Sequence, residues 1–179
     1  NYYRNIDRNK VQFDFLTHRP ENEKKDYDDE IRGLGGKIYH MPVLNPFSPS
    51  YMKSLDRFFK EHKEYKIVHS HLDCLSAYPL KAAKKNGVPV RIAHSHNTSQ
   101  EKNLKYLIKD YSKKQIPKYA THLFACGKEA GKWMFGKHKF QIMNNAIDAK
   151  KFIYNEEVRK QKRVELGVED KFVIGHVGR

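Results

Sequence analysis

Short runs of β-forming residues alternate with longer amphipathic stretches along most of this chain, and this alternation limits the folds that it can adopt. The runs are rich in Val, Ile, Phe and Tyr, as buried strands are. Strand, helix and strand in repetition predict an α/β fold, with a parallel sheet, helices on both faces and right-handed crossovers. The predicted strands are residues 11–16, 37–41, 67–71, 90–95, 121–126, 140–143 and 172–177.

The stretches between these runs carry helix start and stop signals. Ser48 followed by Pro49 is a favourable N-cap and first-turn pair. Gly35 and Gly87 each follow an apolar stretch at the position where a helix ends. The predicted helices are residues 27–34, 49–65, 74–86, 101–119, 128–135 and 158–166, and the fourth of them is expected to stop near Pro117.

Residues 101–119 are predicted to form a helix with one basic and one apolar face. The basic face has two interpretations, a solvated lysine surface or a surface that docks on an anionic lipid leaflet. In the second case each basic residue near the lipid contributes about 1 kcal/mol. The basic stripe is Lys102, Lys105, Lys109 and Lys113 with Tyr106 beside it, and the apolar stripe is Leu104, Leu107, Ile108 and Tyr111.

The charge of the chain predicts a phosphate-bearing partner. Its 35 Lys and Arg residues outnumber 21 Asp and Glu residues, which gives a formal charge of +14. Nucleic acid, an anionic membrane surface and a nucleotide-sugar or lipid-phosphate substrate all fit this charge. The chain has no apolar run of the ~18 residues that a membrane span needs. Its two cysteines make neither a disulfide framework nor a zinc site, so we expect a reducing, cytoplasmic location.

Two His-x-His runs stand at the ends of predicted strands. They are His69-Ser-His71 and His94-Ser-His96, and Asn97 follows the second run. Side chains at i and i+2 of a strand share a face, and α/β sheets bind ligands beyond the carboxyl ends of their strands. Three interpretations remain open: a metal site, a cleft in which neutral imidazoles contact sugar or phosphate, and buried histidines bonded to backbone carbonyls. Asp73 is the nearby carboxylate that could complete a metal site.

Two further features are weaker, and several well-known motifs are absent. The tripeptide Val177-Gly-Arg179 could hold a phosphate, and the turn at residues 144–148 is interpreted as structural. The sequence contains no phosphate-binding loop, dinucleotide fingerprint, nucleophile elbow, zinc finger or RNA-recognition signature.

The chain also resembles a known family in the order of its motifs. It is similar to the N-terminal, acceptor-side domain of bacterial family 4 (group 1) retaining glycosyltransferases, in the branch that builds capsules and exopolysaccharides. This implies a Rossmann-like domain, one half of a two-domain GT-B fold. The motifs are Ile67-Val-His-Ser-His71, Arg91-Ile-Ala-His-Ser-His-Asn-Thr98, Phe124-Ala-Cys-Gly127, Ile142-Met-Asn-Asn-Ala-Ile-Asp148 with Phe152, and Val173-Ile-Gly-His-Val-Gly-Arg179.

The resemblance implies a domain division and a reaction. Residues 1–150 would form the acceptor-side domain without its N-terminal strand and Gly-rich loop, and residues 151–179 a linker and the first strand of a truncated nucleotide-sugar-binding domain. The whole protein would transfer a sugar from a nucleotide-sugar donor to a saccharide or lipid-linked acceptor, with retention. It would need no metal and no other cofactor, and the 179-residue chain alone would be inactive.

The resemblance also implies roles for five residues. His96 would be the catalytic residue beside the donor sugar, with His94 as the alternative because the register is open. His71 would line the acceptor side, Asn97 would contact substrate, and Arg179 would hold the donor diphosphate. We expect a cytoplasmic protein that can sit peripherally at the inner face of the plasma membrane and has no nucleic-acid partner.

This chain departs from the family pattern, so other functions stay open. The usual Pro-Asn-Gly turn is Asn144-Asn145-Ala146, and the paired glutamates of the second domain are missing. The alternatives are a phosphate- or nucleic-acid-binding module without catalysis, a His-rich metal-dependent hydrolase, and a nucleotide-sugar epimerase. Strongly salt-dependent binding to DNA or RNA would favour the first, and stoichiometric zinc or manganese the second.

Overall fold

The computed structural model describes residues 1–23, 25–101 and 106–176, and its strands form two parallel sheets. One sheet pairs β1 with β2, and the other has the order β3, β4, β5, β6. Parallel pairing of consecutive strands requires a crossover after each strand, as the alternating pattern predicts. The strands are β1 (Phe15–Thr17), β2 (Ile38–His40), β3 (Ile67–Ser70), β4 (Val90–Ser95), β5 (His122–Ala125) and β6 (Gln141–Ile142).

The helices occupy the connections between these strands. A 3₁₀ turn, Asp73–Ser76, precedes α4, and a second one covers Ala149–Phe152. None of the helices in the described ranges is both long and apolar enough to cross a bilayer. The helices are α1 (Tyr2–Asn5), α2 (Asp28–Gly33), α3 (Pro49–Glu61), α4 (Ala77–Lys85), α5 (Tyr106–Tyr119), α6 (Lys128–Phe135) and α7 (Glu156–Glu165).

Local signals in the sequence fix several of these boundaries. The Ser48 hydroxyl accepts a hydrogen bond from the Tyr51 N–H at 3.3 Å, and Pro49 is the first residue of α3. Gly87 follows α4 with φ of 79°, a left-handed conformation in which a Cβ is strained. The predicted cap and stop are therefore confirmed, and α6 has the predicted bounds.

Helices α3 to α6 cover one side of the sheets and bury two apolar clusters against them. Val68 of β3 packs against both clusters, and Leu16 of β1 packs against the second. The first cluster contains Cys74, Ala77, Leu80, Ala93, Ile116, Ala125, Ala130, Met134 and Phe135, and the second contains Tyr51, Leu55, Phe59, Ala82, Ala83 and Val88.

A helix also lies on the opposite side of β1. Phe15 and Leu16 are adjacent, so their side chains point to opposite faces of the strand. Leu16 packs against the cluster built by α3 and α4, whereas the Phe15 ring meets the ring of Tyr3 from α1 edge to face, with centroids 5.3 Å apart. Helices therefore flank this strand on both sides.

The chain divides into two compact units. One comprises residues 2–145, and the other comprises residue 1 together with residues 146–179. In the second unit the Asn155 side chain caps α7 by accepting a hydrogen bond from the Val158 N–H at 2.9 Å. The division at residue 150 that the resemblance implies stays a prediction.

The strand predicted at residues 172–177 is wrong over its described part. Residues 172–176 have no regular secondary structure, and the Phe172 and Ile174 side chains are 92% and 84% exposed. A strand needs a neighbour to take up its backbone N–H and C=O groups. The described part of residues 146–176 offers no such neighbour. Residues 177–179, with Arg179, lie outside the described residues.

The first predicted strand starts too early in the sequence. Residues 11–16 were expected to be extended, but β1 begins at Phe15. The Val11 N–H donates to the Asp7 carbonyl at 3.0 Å and so belongs to a turn. The turn satisfies a backbone group that a strand would have left to a neighbour.

The predicted apolar face of α5 is also wrong. Leu107 and Tyr111 are 76% and 63% exposed, and the helix buries Ser112 and Ile116 instead. Lys113, expected in a solvated stripe, is mostly buried and places its Nζ 4.8 Å from the centre of the Trp133 ring. Helix α5 packs between α4 and α6, so these neighbours select its buried face. Residues 102–105, which include Lys102, Leu104 and Lys105, lie outside the described residues, and α5 runs past Pro117 to Tyr119.

Candidate functional site

Histidine side chains project from one face of β3 and β4 at their carboxyl ends. In the parallel register His69 lies opposite Ile92, so residues 69 and 71 share a face with residues 92, 94 and 96. His71 directly follows β3, and His96 directly follows β4. The two His-x-His runs therefore meet at the edge where α/β sheets bind ligands, as the sequence predicts.

Hydrogen-bond contacts join the four imidazoles in two pairs, and a third contact joins one of these pairs to a turn. His69 Nε2 lies 3.1 Å from His94 Nδ1, and His71 Nδ1 lies 2.8 Å from His96 Nε2. His96 Nδ1 lies 3.1 Å from Asn145 Oδ1. We call these side chains the histidine network: His69, His71, His94, His96 and Asn145.

The rings of the network stack against one another. The His69 and His94 rings are nearly parallel, at 6° with centroids 5.2 Å apart, and the His94 and His96 centroids are 4.3 Å apart. The Phe124 ring of β5 meets the first two edge to face at 5.9 and 6.1 Å. His94 is consequently only 4% exposed, whereas His71 and His96 are exposed to solvent.

Loss of solvent favours the neutral form of three of the imidazoles, those of His69, His71 and His94. Burial, followed by the proximity of His94 and His96, lowers the pKa of His69 to about 4. The His71 side chain keeps contact with solvent, but partial desolvation of its ring among the others, followed by the proximity of His69, His94 and His96, lowers its pKa to about 3. Burial and the His96 ring also lower the pKa of His94, and the nearby Met143 backbone partly opposes this shift. Neutral imidazoles both donate and accept hydrogen bonds.

The contact with Asn145 determines which nitrogens carry protons along one branch of the network. The Oδ1 atom of Asn145 can only accept, so His96 Nδ1 carries the proton. His96 Nε2 is then the acceptor of the second contact, and His71 Nδ1 donates to it. A neutral His71 consequently presents an unprotonated Nε2, which can accept a hydrogen bond from a hydroxyl or bind a metal ion.

His94 has an atom without a partner. Its Nε2 is buried and has no hydrogen-bond partner within the described part of the protein. Asp73, the carboxylate considered from the sequence, has a left-handed backbone with φ of 51°. It is not among the side chains that converge here, which are His69, His71 and His94.

The structure brings most, but not all, of the predicted site residues together. His71, His94 and His96 lie in the network, and His96 is more accessible than His94. Asn97 is exposed, and its carbonyl accepts from the Ser95 hydroxyl at 3.4 Å. Arg179 lies outside the described residues. The roles of all five residues stay predictions.

Two members of the network, His69 and Asn145, were given no role by the family resemblance, although His69 was a candidate through its His-x-His run. His69 carries a usable signal, because it is two residues before His71 on the same strand. Asn145 was interpreted as part of a structural turn, and nothing local in the sequence distinguishes it from Asn144. Only the fold brings Asn145 to His96, 49 residues earlier in the chain.

The family of this protein follows from comparison with known sequences. The sequence model of Glycosyltransferase Family 4 matches residues 1–151, which is most of the chain. The chain therefore belongs to this family of glycosyltransferases.

One curated relative has a glycosyltransferase name, and one solved structure has a similar fold. The chain is 35% identical over 191 aligned positions to "Putative glycosyltransferase EpsF" of Bacillus subtilis (strain 168), covering 100% of this chain and 49% of that protein. Its fold is similar to that of Anabaena Alr3699/HepE, solved in complex with UDP, with a TM-score of 0.68 at 11% identity, covering 93% of this chain and 53% of that one. The chain thus spans about half the length of each. The predicted Rossmann-like α/β fold, one half of a GT-B glycosyltransferase, is confirmed.

Proposed function

We propose that the protein transfers a sugar from a nucleotide-sugar donor to a saccharide or lipid-linked acceptor, with retention, in surface polysaccharide synthesis. Three observations support this: the family membership, the glycosyltransferase name of the Bacillus subtilis relative, and the UDP bound to the structural neighbour. The observation on which the proposal most depends is the convergence of the four histidines at the carboxyl ends of β3 and β4.

The neutral state of His69 and His71 suits this chemistry. As the bond to the leaving diphosphate breaks, positive charge develops on the donor sugar, and a protonated imidazole nearby would raise the energy of that state. The lowered pKa values of His69 and His71 keep both rings uncharged at neutral pH. Neutral nitrogens still hydrogen-bond to sugar hydroxyls, so the network can orient a sugar without opposing the charge.

Within the network, the proposed catalytic residue is His96, which contacts the donor sugar. Its exposure leaves it accessible, and its hydrogen bonds to His71 and Asn145 hold the ring in one orientation. His71 is proposed to accept a hydrogen bond from the acceptor hydroxyl through its unprotonated Nε2. His94 fixes the packing of the rings beside it.

The donor diphosphate is proposed to be held by basic groups without a metal cofactor. Arg179 is the proposed diphosphate ligand, since a guanidinium binds phosphate oxygens through two parallel hydrogen bonds. Asn97 is proposed to contact a substrate hydroxyl from its exposed position after His96.

The proposal is tested by measuring sugar transfer with the full natural protein. UDP-sugars are the first donors to examine, with lipid-linked and free saccharides as acceptors, followed by other nucleotide-sugars. We expect His96→Ala to lower kcat by about 100–1000-fold, because it removes a preorganised contact to the reacting sugar. The anomeric configuration of the product, determined by NMR, tests retention.

His122→Ala is the matched control for this experiment. His122 is exposed on β5 of the same sheet and takes no part in the network. It is expected to keep its full rate. A His96→Ala protein that folds normally and transfers sugar at the natural rate would exclude the proposed role.

We also propose a peripheral position at the inner face of the plasma membrane, on the exposed side of α5. Leu107 and Tyr111 are large and exposed, and Lys114 and Lys118 continue their stripe at helical spacing. An apolar stripe flanked by basic residues is suited to the interface of an anionic leaflet. This stripe replaces the lysine face expected from the sequence.

Sedimentation with vesicles tests this membrane proposal. The natural protein should sediment with vesicles containing anionic phospholipid more than with neutral ones, and less at high salt. Replacing both Leu107 and Tyr111 by Ser should weaken this binding by about tenfold or more, since each buried CH₂ contributes about 0.8 kcal/mol. Phe47→Ser, at a similarly exposed ring elsewhere in the same unit, is the control. Equal binding by the double variant and the control would contradict the proposal.

A further inference from the structure

Three imidazoles of the network converge closely enough to share one ion. The candidate ligand atoms of His69, His71 and His94 all lie within 4.8 Å of one another. In the described ranges of the chain, no other group of three or more His, Cys, Asp or Glu side chains does so. The convergence arises from the parallel register, which aligns the carboxyl ends of β3 and β4.

A second, independent observation points to a ligand at the same place. His94 is 4% exposed, and its Nε2 is buried without a hydrogen-bond partner among the described residues. A buried polar nitrogen without a partner is costly, and proteins rarely keep one without a use for it. A metal ion would accept the lone pair of this nitrogen.

The distances fit a tetrahedral centre after small ring rotations. Zinc–nitrogen bonds of about 2.0–2.1 Å place two ligand nitrogens roughly 3.3 Å apart in a tetrahedron. The ligand atoms of the three side chains, one from each imidazole, already lie within 4.8 Å of one another. Rotation about the side-chain bonds of the more exposed His71 can supply the remaining approach.

We propose that His69, His71 and His94 form a binding site for a divalent first-row transition metal ion of the zinc type. The donor set is imidazole, which suits zinc, copper and nickel, whereas magnesium and calcium prefer carboxylate and carbonyl oxygens. Three protein ligands leave a fourth position for water.

The site would regulate the protein rather than supply a catalytic ion. If the proposed transfer function holds, the ion occupies nitrogens that otherwise meet substrate, so it competes with the acceptor. Binding of the ion itself does not depend on that function.

Direct metal titration of the purified, tag-free protein tests the site. Calorimetry with Zn²⁺ is expected to give one ion per chain, and Co²⁺ is expected to give the intense visible absorption of a tetrahedral complex. Mg²⁺ at the same concentration should neither bind nor displace Co²⁺. His69→Ala and His71→Ala should each weaken Zn²⁺ binding by more than about 100-fold, because removing even a partner of a metal ligand costs 10–100-fold.

His122→Ala supplies the control, since it removes an exposed histidine of the same sheet that is not in the group. It should bind Zn²⁺ as the natural protein does. His71 is exposed, so its replacement should spare the fold, which circular dichroism can verify. The proposal is overturned if the natural protein binds no Zn²⁺ at this site, or if His71→Ala and His122→Ala bind it equally. Failure to transfer sugar would leave the titration unchanged, so the two proposals fail separately.

Discussion

The two faces of β3 and β4 carry different kinds of side chain. Toward the helices the strands place Ser70, Ala93 and Ser95, which are small and buried. Toward the opposite side they place the four histidines of the network. Successive residues of a strand point to opposite faces, so a step of one residue separates packing from candidate chemistry.

The two faces also differ in how they satisfy polar atoms. On the helix side the Ser70 hydroxyl donates to the Ser76 hydroxyl at 2.9 Å, and the Ser95 hydroxyl donates to the Ala130 carbonyl at 3.0 Å. On the histidine side His94 Nε2 stays buried without a partner in the described residues. The two serine hydroxyls on the helix side are therefore satisfied within the domain, whereas the histidine side keeps a side-chain nitrogen that is available for binding.

The largest effect is expected from creating a cavity among the side chains on the helix side. Leu80 of α4 is fully buried in the cluster that covers β3 and β4. We expect Leu80→Ala to lower the free energy of unfolding by about 2–5 kcal/mol, because it loses burial and leaves a cavity. Urea denaturation followed by circular dichroism measures this change.

Leu107→Ala is the matched control for that variant. It makes the same chemical change on α5 at a side chain that is 76% exposed. We expect a change within about 0.5 kcal/mol, as for other surface positions. Equal losses in the two variants would mean that the helix side is not the packed face.

A smaller effect is expected from adding a methyl group where α6 packs against Phe140, the residue before β6. A Cβ at Gly131 would overlap the Phe140 ring, so the glycine permits the close approach of these residues. Gly131→Ala should cost about 1–3 kcal/mol through overpacking. At Gly33, in α2, an added Cβ meets nothing within 4 Å, so Gly33→Ala should stabilise by up to about 1 kcal/mol through helix propensity. Thermal unfolding of both variants measures these changes. A Gly131→Ala variant as stable as the natural protein would show that the Phe140 ring moves aside easily.

The smallest expected effect is the pH dependence of stability from the histidine side. The folded pKa of His69, about 4, lies below the value of 6.5 for a free imidazole. The unfolded chain therefore binds more protons than the folded chain between these two pH values. The contribution of His69 to stability is complete above pH 6.5 and is lost as the pH falls toward 4. The natural protein loses free energy of unfolding between pH 7 and pH 5. After allowance for solvent screening, His69→Gln should reduce this loss by about 1 kcal/mol.

Urea denaturation at pH 7 and pH 5 measures the slope of the free energy of unfolding against pH. His122→Gln is the control. That substitution removes an exposed histidine outside the network and should leave the slope of the natural protein unchanged. An unchanged slope in His69→Gln would mean that its ring is as free to take a proton in the folded state as in the unfolded one.

Local signals were sufficient for several element boundaries and for the strand-end position of the histidines. The cap at Ser48, the left-handed Gly87 and the bounds of α6 all follow from short-range residue preferences. The placement of His71 and His96 at strand ends follows from the alternating pattern and the i, i+2 rule. Such signals depend only on residues a few positions apart in the chain, so they can be recognised from the sequence alone.

The sequence alone determined the α/β alternation and the shared face of each His-x-His pair. Only the tertiary structure decided that α5 buries Ser112 and Ile116, that residues 172–176 form no strand, and that Asn145 meets His96. The physical reason is that burial and pairing depend on neighbouring elements. A helix pattern with several apolar positions does not specify which face meets its neighbours, and a β-forming run becomes a strand only where another strand accepts its backbone hydrogen bonds.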